Sequence, residues 1–575
     1  MKIKVRLGLR EVLLIINIIN YTLGAILLEE NKITPTHKKL CVDSELKLTK
    51  YEENFKDLIV ACATYYDSEG WHILTVKSQE NNHTNLIKAF SAGLLEGYIY
   101  HDLVDFHYTN IFSTIMNKTH FTNRTLEFVN DQYKYVEDLV KYLEVDKKHI
   151  EENFLSNDDI EYLETLELIL EQYKGLYRGY KLASIESQKD EKLILTEKDF
   201  YLLTMQADLE DILIAYESER FGNGIWKKDK DCSGFVKYVE STNNLIVGHN
   251  THNHYSLMNR IFKNYELNLV LSTGKLLNNF KYSSRPGDLN SKDDYYVLSN
   301  NMVVIETSLE VVDLSIYKNL MYHTIPKWIR VNIANKLATN NNEWIELFFK
   351  ENSGTHNNQW LIVDYKKFEE FVERSRTFKD EKKSIIHKLF KKIEYLFNYK
   401  SNNEEIIPKD VIHIVEQTPN LSKRFYKDMS EDLINKSYVA SYNAPFFEEV
   451  IREIGYTNPP YSEHDYLHAR RNFLFNILQS KVTDIDSAKD VLRFHSKEDI
   501  CDTIGARCDM VNKVPFGAVD AKLTDRMLMK NNQSSMIIYG PPYIPGVSEP
   551  FDFKDYPDIP HLGIPEKIEF DWIYA

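Results

Sequence analysis

The hydrophobic pattern of this chain changes at about residue 232, and this change limits the possible folds more than any other sequence feature. From about residue 85 to 220, apolar residues recur every three or four positions with charges between them, which predicts helices. Beyond residue 232, short β-branched and aromatic runs alternate with turn residues, which predicts strands. A helical stretch followed by a strand-rich one favours a layered α+β architecture.

The individual elements follow from the same patterns. Helices are predicted at 94–115, 126–143, 160–180, 200–216, 326–337 and 369–374. Strands are predicted at 234–239, 245–248, 295–298 and 302–307. No internal repeat divides the 575 residues, so we expect one large domain with helical elaborations.

The N-terminus has the layout of a signal peptide. Basic residues at 2–10 precede an apolar run at 12–19, and small residues at 22–25 supply a cleavage point, so residues 1–25 are predicted to be a signal peptide. The apolar run is short for a membrane span and is interrupted by Asn17 and Asn20, and no later segment reaches the roughly eighteen apolar residues of a span. We therefore expect a secreted or lysosomal (endomembrane lumen) protein without stable membrane insertion.

An oxidising compartment makes the five cysteines informative. Cys501 and Cys508 are close in sequence and are predicted to bridge a short loop. Cys41 and Cys62 form the other predicted disulfide, on counting alone. Cys232 is then left over, and such a thiol is either a small buried apolar residue or a nucleophile.

The surroundings of Cys232 favour the nucleophile. The segment 222–231 contains Gly222, Gly224 and a charged run, which predicts an exposed loop, and a strand is predicted directly after it. Breaking the Asp231–Cys232 bond would give Cys232 a free α-amine, which titrates at about pH 7.7–8.0 and can act as the general base for its own thiol.

A histidine-rich segment, HNTHNH at 249–254, follows the predicted strand 245–248. Three readings are open. The imidazoles could bind zinc, although no cysteine pair or His-Glu-x-x-His pattern accompanies them. They could be ordinary loop histidines. Alternatively, hairpin pairing brings His249 beside Cys232, where an imidazole can bond to the thiol.

These motifs, together with others in the same order along the chain, resemble the phospholipase B-like (lamina ancestor) family of N-terminal-nucleophile hydrolases. The resemblance covers roughly residue 55 to the end. The matching segments are AGLLEG at 92–97, QADLED at 206–211, Cys232-Ser233, VGHNT at 247–251, Tyr255, NRIFKNY at 259–265, SSRPG at 283–287, DDYYVL at 293–298, SYNAPF at 441–446, PFGAVDAK at 515–522 and GPP at 540–542.

The resemblance implies a fold, a division of the chain and a site. The fold would be an αββα sandwich of two stacked antiparallel sheets flanked by helices. Autocatalytic cleavage would leave a mostly helical fragment, 26–231, and a fragment 232–575 that begins at the nucleophile, the two forming one domain.

The implied catalytic residues are Cys232 as nucleophile, His249, Asn443 as the oxyanion donor and Arg471. Arg470 remains an alternative to Arg471, because the proline that normally precedes the family's arginine is absent. Thr307 and Ser308 would occupy a strand with another polar site position. The family usually has tryptophan at the place of His252, so a more polar pocket wall is expected. No cofactor and no metal are implied.

The resemblance and the composition together define the expected function. The family implies removal of acyl chains from (glycero)phospholipids by acyl transfer to water, with a lipid or an acylated small molecule as substrate. An amidase or peptidase acting on peptides or N-acyl lipids, or a catalytically idle lumenal lipid-binding glycoprotein, is the alternative. The net charge of −16 disfavours nucleic acid as a partner. Glycosylation sequons lie at Asn82, Asn117, Asn123, Asn420, Asn435 and Asn532.

Overall fold

The computed structural model describes most of the chain from residue 37 onward. The described residues are 37–50, 57–80, 83–112, 121–148, 155–221, 232–390, 407–456, 466–498, 501–511 and 513–575. Residues 39–575 form one compact unit. The predicted signal peptide and Asp231 lie outside the described residues, so the signal peptide and the division of the chain at residue 232 stay predictions.

The described residues form strands and helices in the following order. The strands are β1 (Lys38–Asp43), β2 (Leu48–Thr49), β3 (Ile59–Ser68), β4 (Trp71–Ser78), β5 (Ser233–Val239), β6 (Asn244–His254), β7 (Ile261–Glu266), β8 (Phe280–Ser284), β9 (Tyr295–Leu298), β10 (Met302–Ser308), β11 (Asn358–Asp364), β12 (Ile412–Glu416), β13 (Phe425–Asp428), β14 (Tyr438–Ser441), β15 (Phe516–Asp525), β16 (Met536–Tyr539), β17 (Phe551–Asp552), β18 (Lys567–Ile568) and β19 (Ile573–Tyr574). The helices are α1 (Asn85–Ile99), α2 (His101–Asn110), α3 (Asn123–Lys148), α4 (Asn157–Glu186), α5 (Glu197–Thr204), α6 (Gln206–Phe221), α7 (Lys327–Leu337), α8 (Asn341–Phe349), α9 (Tyr365–Phe390), α10 (Ser430–Lys436), α11 (Glu448–Glu453), α12 (Arg470–Leu478), α13 (Ile485–Leu492) and α14 (Arg526–Lys530).

Two large sheets dominate the described part of the chain. The first has eleven strands in the order β13-β12-β11-β10-β9-β8-β7-β4-β3-β1-β2, and the second has six in the order β14-β5-β6-β15-β16-β19. Strands β4 and β7 pair in parallel, from His72–Ile261 to Lys77–Glu266, whereas the hairpins β3–β4, β5–β6 and β7–β8 are antiparallel. This parallel pair joins the hairpin β3–β4 to strands that come almost two hundred residues later.

Three apolar clusters show how the layers are stacked. One lies between the two sheets and includes Trp71 and Val303 from the first sheet and Val247 and Val519 from the second. A second cluster joins the other face of the first sheet to helices that include α1 and α4. A third joins the other face of the second sheet to α12 and α13. The order helix, sheet, sheet, helix confirms the α+β class and the αββα sandwich.

The sequence-based elements agree with the structure in type more often than in extent. The strand predicted at 295–298 is confirmed, and α4 and α7 contain or closely match their predictions. The single helices predicted at 94–115 and 200–216 are wrong, because α1 and α2 are separated at Tyr100 and α5 and α6 at Met205, whose backbones leave the helical range. Strand β6 continues six residues beyond its predicted end, since its second half also pairs with β15.

Both predicted disulfides are present. Cys41 on β1 and Cys62 on β3 join adjacent strands with Cα atoms 4.0 Å apart. Cys501 and Cys508 close a short loop with Cα atoms 4.3 Å apart. Cys232 lies outside both bridges and is buried. Among the described helices, none is long and apolar enough to cross a membrane.

Candidate active site

Cys232 lies directly before the first residue of β5, in the second sheet. Its neighbours along the strand, Ser233 and Gly234, pair with Asn250 and His249 of β6, and Gly234 also faces Ser441 of β14. Cys232 is 2% exposed and has φ +81°, a left-handed conformation that is uncommon for a residue other than glycine. The chain therefore turns sharply into the sheet at this cysteine.

Arg471, on the first turn of α12, reaches the backbone of Cys232. One guanidinium nitrogen donates to the Cys232 carbonyl oxygen at 2.7 Å and to Ser233 Oγ at 3.1 Å, and another donates to Asn443 Oδ1 at 2.6 Å. Arg471 is 3% exposed, whereas Arg470 lies over the ring of Phe473 at 5.4 Å. Of the two arginines that the sequence left open, Arg471 is the one beside Cys232.

Asn443 follows β14 in a left-handed conformation with φ +65°. Its backbone N–H donates to Thr307 Oγ1 at 3.0 Å, and its Nδ2 donates to Ser308 O at 2.7 Å and less closely to Ser308 Oγ at 3.3 Å. Because arginine only donates, the contact with Arg471 assigns Oδ1 to the arginine side and Nδ2 to the opposite side. The amide donor of Asn443 is therefore held in one orientation.

His249 faces the cluster between the sheets. Its Nε2 lies 2.8 Å from the carbonyl oxygen of Glu306, which can only accept, so the proton is assigned to Nε2 and Nδ1 is the acceptor. Nδ1 is buried and has no hydrogen-bond partner among the described residues. Burial, with a contribution from the nearby Lys522 cation, holds the pKa of His249 well below its usual 6.5. The imidazole is therefore neutral near pH 7.

A set of buried ion pairs lies next to these residues and was not predicted from the sequence. Arg260 pairs with Asp293 at 2.5 Å and with Asp520 at 2.8 Å, and Lys522 pairs with Asp520 at 2.6 Å. The pKa of Arg260 is raised, because Asp520 and Asp293 outweigh the lowering effect of burial, and Cys232 adds to the rise. The electrostatic coupling means that a Cys232 thiolate would lie in the field of a buried cation. The available signal was the pair of charged residues at alternate positions 520 and 522, within the run 516–523 that is otherwise apolar.

The other histidines of the 249–254 segment bond elsewhere. His252 Nε2 lies 2.8 Å from the carbonyl oxygen of Ile504, in the loop closed by Cys501 and Cys508, and His254 Nδ1 lies 2.8 Å from Ser256 Oγ. Within the described residues, two groups have metal-ligand spacing, and neither includes His249, His252 or His254. These groups are Asp294, Glu306 and His356, and Asp410, His413 and Asp428. In the first group, Asp294 already accepts a hydrogen bond from the Lys327 ammonium.

Comparison with known proteins places this chain in a family. The sequence model of the phospholipase B family matches residues 61–575. Phospholipase B-like protein G of Dictyostelium discoideum is 26% identical over 580 residues, which cover 91% of this chain and 87% of that protein. Phospholipase B-like 1 of Homo sapiens is 28% identical, covering 88% and 84%, and phospholipase B of Crotalus adamanteus is 28% identical, covering 88% and 86%. The chain belongs to the phospholipase B family.

Proposed function

We propose that this protein is a secreted or lysosomal hydrolase that cleaves its own Asp231–Cys232 bond and then removes acyl chains from (glycero)phospholipids. In the self-cleavage step the Cys232 thiol attacks the carbonyl carbon of Asp231, its proton passes to the Cys232 nitrogen as the C–N bond breaks, and water then hydrolyses the resulting thioester and restores the thiol. In the mature protein Cys232 is the nucleophile, and the α-amine freed by that cleavage is the general base. The relatives named phospholipase B support a lipid substrate, and the two disulfides support a secretory or lumenal location.

The observation that carries this proposal is the guanidinium of Arg471 between Cys232 and Asn443. It fixes the carbonyl group of the residue that would become the N-terminus, and it orients an amide donor on the opposite side of the same site. Acyl transfer requires a nucleophile and an oxyanion donor at one reacting centre, and here one guanidinium contacts both residues that would supply them.

The reaction is written with Cys232 at the N-terminus. The α-amine takes the thiol proton while sulfur attacks the ester carbon. The carbonyl electrons move to an oxyanion that accepts from Asn443 Nδ2 in place of that nitrogen's longer contact, to Ser308 Oγ. The ammonium then protonates the departing alcohol, leaving a thioester. Water attacks the thioester, its proton returns through the amine, and the fatty acid leaves with the thiol restored.

In this reaction neutral His249 has a structural role and does not transfer a proton. Because its Nε2 donates to Glu306 O and its pKa is lowered, it is not a cation that competes with the α-ammonium. Its unprotonated Nδ1 is an acceptor in the same buried region. His249 is therefore better suited to orient a nearby donor group than to act as an acid.

The test compares the wild-type protein with Cys232→Ala and Cys232→Ser. Intact mass and N-terminal sequencing should find a fragment that begins at Cys232 in the wild type, a single chain in Cys232→Ala and slowed cleavage in Cys232→Ser. Two fragments in Cys232→Ala would contradict self-cleavage. Processed protein is then incubated with diacyl phosphatidylcholine vesicles and with an N-acyl amide of the same chain length.

The two substrates separate the remaining possibilities. Release of fatty acid from the phospholipid, absent in Cys232→Ala, is the expected result. Release from the amide alone would replace the phospholipase assignment by an amidase. An unprocessed wild-type protein that binds vesicles and releases nothing would make it a lipid-binding glycoprotein.

A further inference from the structure

A continuous chain of buried side chains extends from Asn443 away from Cys232. The backbone N–H of Asn443 donates to Thr307 Oγ1, which lies 2.7 Å from Ser441 Oγ. Ser441 Oγ donates to Gln359 Oε1 at 2.6 Å, and Gln359 Nε2 donates to Glu416 Oε1 at 2.6 Å. These five residues lie on β10, β11, β12 and β14 and in the turn that follows β14. The hydrogen-bonded series therefore links β14, the edge strand of the second sheet, to three strands of the first sheet.

The direction of every hydrogen bond in this series of side chains follows from the contacts of Gln359 at the end distant from Asn443. Gln359 Nε2 faces two acceptors, Glu416 Oε1 and the carbonyl oxygen of Ala444 at 2.9 Å, so Gln359 Oε1 must face Ser441. The Ser441 hydroxyl therefore donates its hydrogen to Gln359 and can only accept a hydrogen bond from Thr307. The Thr307 hydroxyl therefore points towards Ser441 and leaves a lone pair for the Asn443 N–H.

The same two residues also hold the turn that carries Asn443. Glu416 accepts from the backbone N–H of Phe446 at 2.6 Å and of Phe447 at 3.3 Å, while Gln359 donates to the Ala444 carbonyl. Contacts on both sides of the turn stabilise the left-handed backbone of Asn443, which costs free energy for any residue other than glycine.

We propose that Gln359 and Glu416 are positioning residues for acyl transfer, because they set the hydrogen-bond direction that holds Asn443 in the orientation needed to receive the oxyanion. Neither residue touches Cys232 in the described contacts, and the inference rests on the proposed function of the site. Losing a link lets the Thr307 hydroxyl rotate and the Asn443 turn move, which weakens a contact made most strongly in the transition state.

The role of Glu416 in this network depends on Oε1 as a hydrogen-bond acceptor and not on a negative charge. Burial raises its pKa to about 7, against the lowering effect of its three donors. Protonation of Oε2 would affect only the longer hydrogen bond from the Phe447 N–H. Oε1 would still accept from Gln359 and Phe446. Glutamine can present the same acceptor, so Glu416→Gln is the conservative variant and Glu416→Leu the disruptive one.

The experiment measures kcat and KM for phosphatidylcholine hydrolysis by processed wild type and variants. Gln359→Leu and Glu416→Leu should lower kcat by about tenfold or more with KM nearly unchanged, and Glu416→Gln should retain kcat within about threefold. The matched control is Thr418→Val, which removes a buried hydroxyl bonded to Glu453 two residues after Glu416 and should not change kcat.

A double-variant comparison tests whether the residues act as one chain. The effects of Gln359→Leu and Ser441→Ala on kcat should be far from multiplicative, whereas those of Gln359→Leu and Thr418→Val should multiply. Equal kcat losses in Gln359→Leu and Thr418→Val, or fully multiplicative effects of Gln359→Leu and Ser441→Ala, would overturn the positioning role while leaving the proposed function intact. A processed wild type that hydrolyses no acyl donor would overturn both.

Discussion

At the residue scale, Arg471 shows why a buried arginine differs from a buried lysine. Its planar group donates to Cys232 O, Ser233 Oγ and Asn443 Oδ1 at once, and Asp502 lies 3.6 Å from its Nε. A lysine ammonium is a point charge and cannot span these three acceptors in a fixed fork. The geometry, and not only the charge, connects the cysteine to the amide.

Arg471→Lys should therefore impair the reaction more than it impairs folding. We expect kcat to fall by about one to two orders of magnitude and self-cleavage to slow, because Asn443 loses the contact that fixes its amide. Arg470→Lys is the matched control, since Arg470 lies over Phe473 and should keep wild-type rates. Equal losses in both variants, measured as fatty-acid release by processed protein, would contradict this role of Arg471.

His107 gives a prediction about pH. It is fully buried on α2, and neither ring nitrogen has a hydrogen-bond partner in the described part of the chain. Burial, and then the positive charges of Arg285 and Arg260, hold its pKa well below 6.5. The unfolded chain therefore binds a proton below pH 6.5 that the folded chain does not, and stability is lost as the pH falls through that range.

We expect this histidine alone to lower the unfolding free energy by about 1.4 kcal/mol for each pH unit below 6.5. His107→Gln should flatten the pH dependence by that amount in denaturant titrations at pH 5, 6 and 7. His323→Gln removes an exposed histidine and should leave the slope unchanged. An identical slope in wild type and His107→Gln would show that His107 is protonated in the folded state.

The sequence predicted the site residues through motif order, but could not predict the way they are connected. Cys232 and Asn443 stand 211 positions apart, and only pairing of β14 with β5 brings them to the same edge. Adjacent arginines at 470 and 471 look alike in sequence, and the register of α12 decides which one is buried. The ion pairs of Arg260 with Asp293 and Asp520 depend on contacts between both sheets, which no local pattern contains.

At the element scale, α1 and α4 cross at unusually short distance through glycines. Gly93 and Gly97 on α1 face Gly175 and Gly179 on α4, each pair at four-residue spacing on one helix face. A methyl group on any of them would overlap a backbone carbonyl oxygen of the other helix, for example that of Gln172 beside Gly93. The helical pattern was visible in the sequence, whereas this crossing needed knowledge of which helices meet.

Gly93→Ala therefore has two opposite effects on stability, a gain in helix propensity and a steric overlap with α4. Alanine favours a helix over glycine by about 1 kcal/mol, but the overlap is with rigid backbone and separating the helices costs about 1–3 kcal/mol or more. We expect net destabilisation and a lower Tm. Arg178→Ala, an exposed position of α4, should stay within about 0.5 kcal/mol of wild type. A Gly93→Ala variant with raised Tm would show that the helices can separate without loss.

The hairpin β3–β4 was not predicted from the sequence. The five buried residues of β3 end at Ala63, and the residues from Thr64 to Ser68 that follow are half-buried or exposed. Its central place in the first sheet comes from the parallel pairing with β7, and parallel partners distant in sequence leave no short-range signal. Element type was thus predictable where one face is apolar, and element partners were not.

At the scale of the whole molecule, the segment before residue 232 is built into the segment after it. Strand β4 lies between β3 and β7, so the first sheet contains strands from both segments. Glu96 forms a buried ion pair with Lys263 at 2.6 Å. Asp208 accepts from the backbone N–H of Lys327 at 2.7 Å, and Asp211 accepts from that of His356 at 2.7 Å. Each of these contacts crosses residue 232.

Cleavage at Cys232 should therefore produce two chains that remain one folded unit. The disulfide Cys41–Cys62 lies within the first chain and Cys501–Cys508 within the second, so neither links the two chains covalently. We expect the fragments to coelute in native size-exclusion chromatography and to separate under denaturing conditions without reductant. Separation would expose the unpaired edges of β4 and β7, and it would leave Lys263 without the carboxylate of Glu96 and the backbone N–H groups of Lys327 and His356 without Asp208 and Asp211. Unpaired strand edges and buried groups that have lost their partners are both unfavourable.

A matched pair of variants tests whether these buried contacts hold the fragments together. Ile73→Asp places a carboxylate in the apolar layer between the sheets, next to the β4–β7 pairing, and should lower the denaturant concentration at which processed fragments dissociate. Asp67→Ala removes an exposed side chain from the neighbouring strand β3, whose ion pair with His72 lies within one fragment, and should leave that concentration unchanged. Processed wild-type fragments that separate in native buffer would contradict the shared sheet, because no fragment could leave it without breaking the six paired residues of β4 and β7.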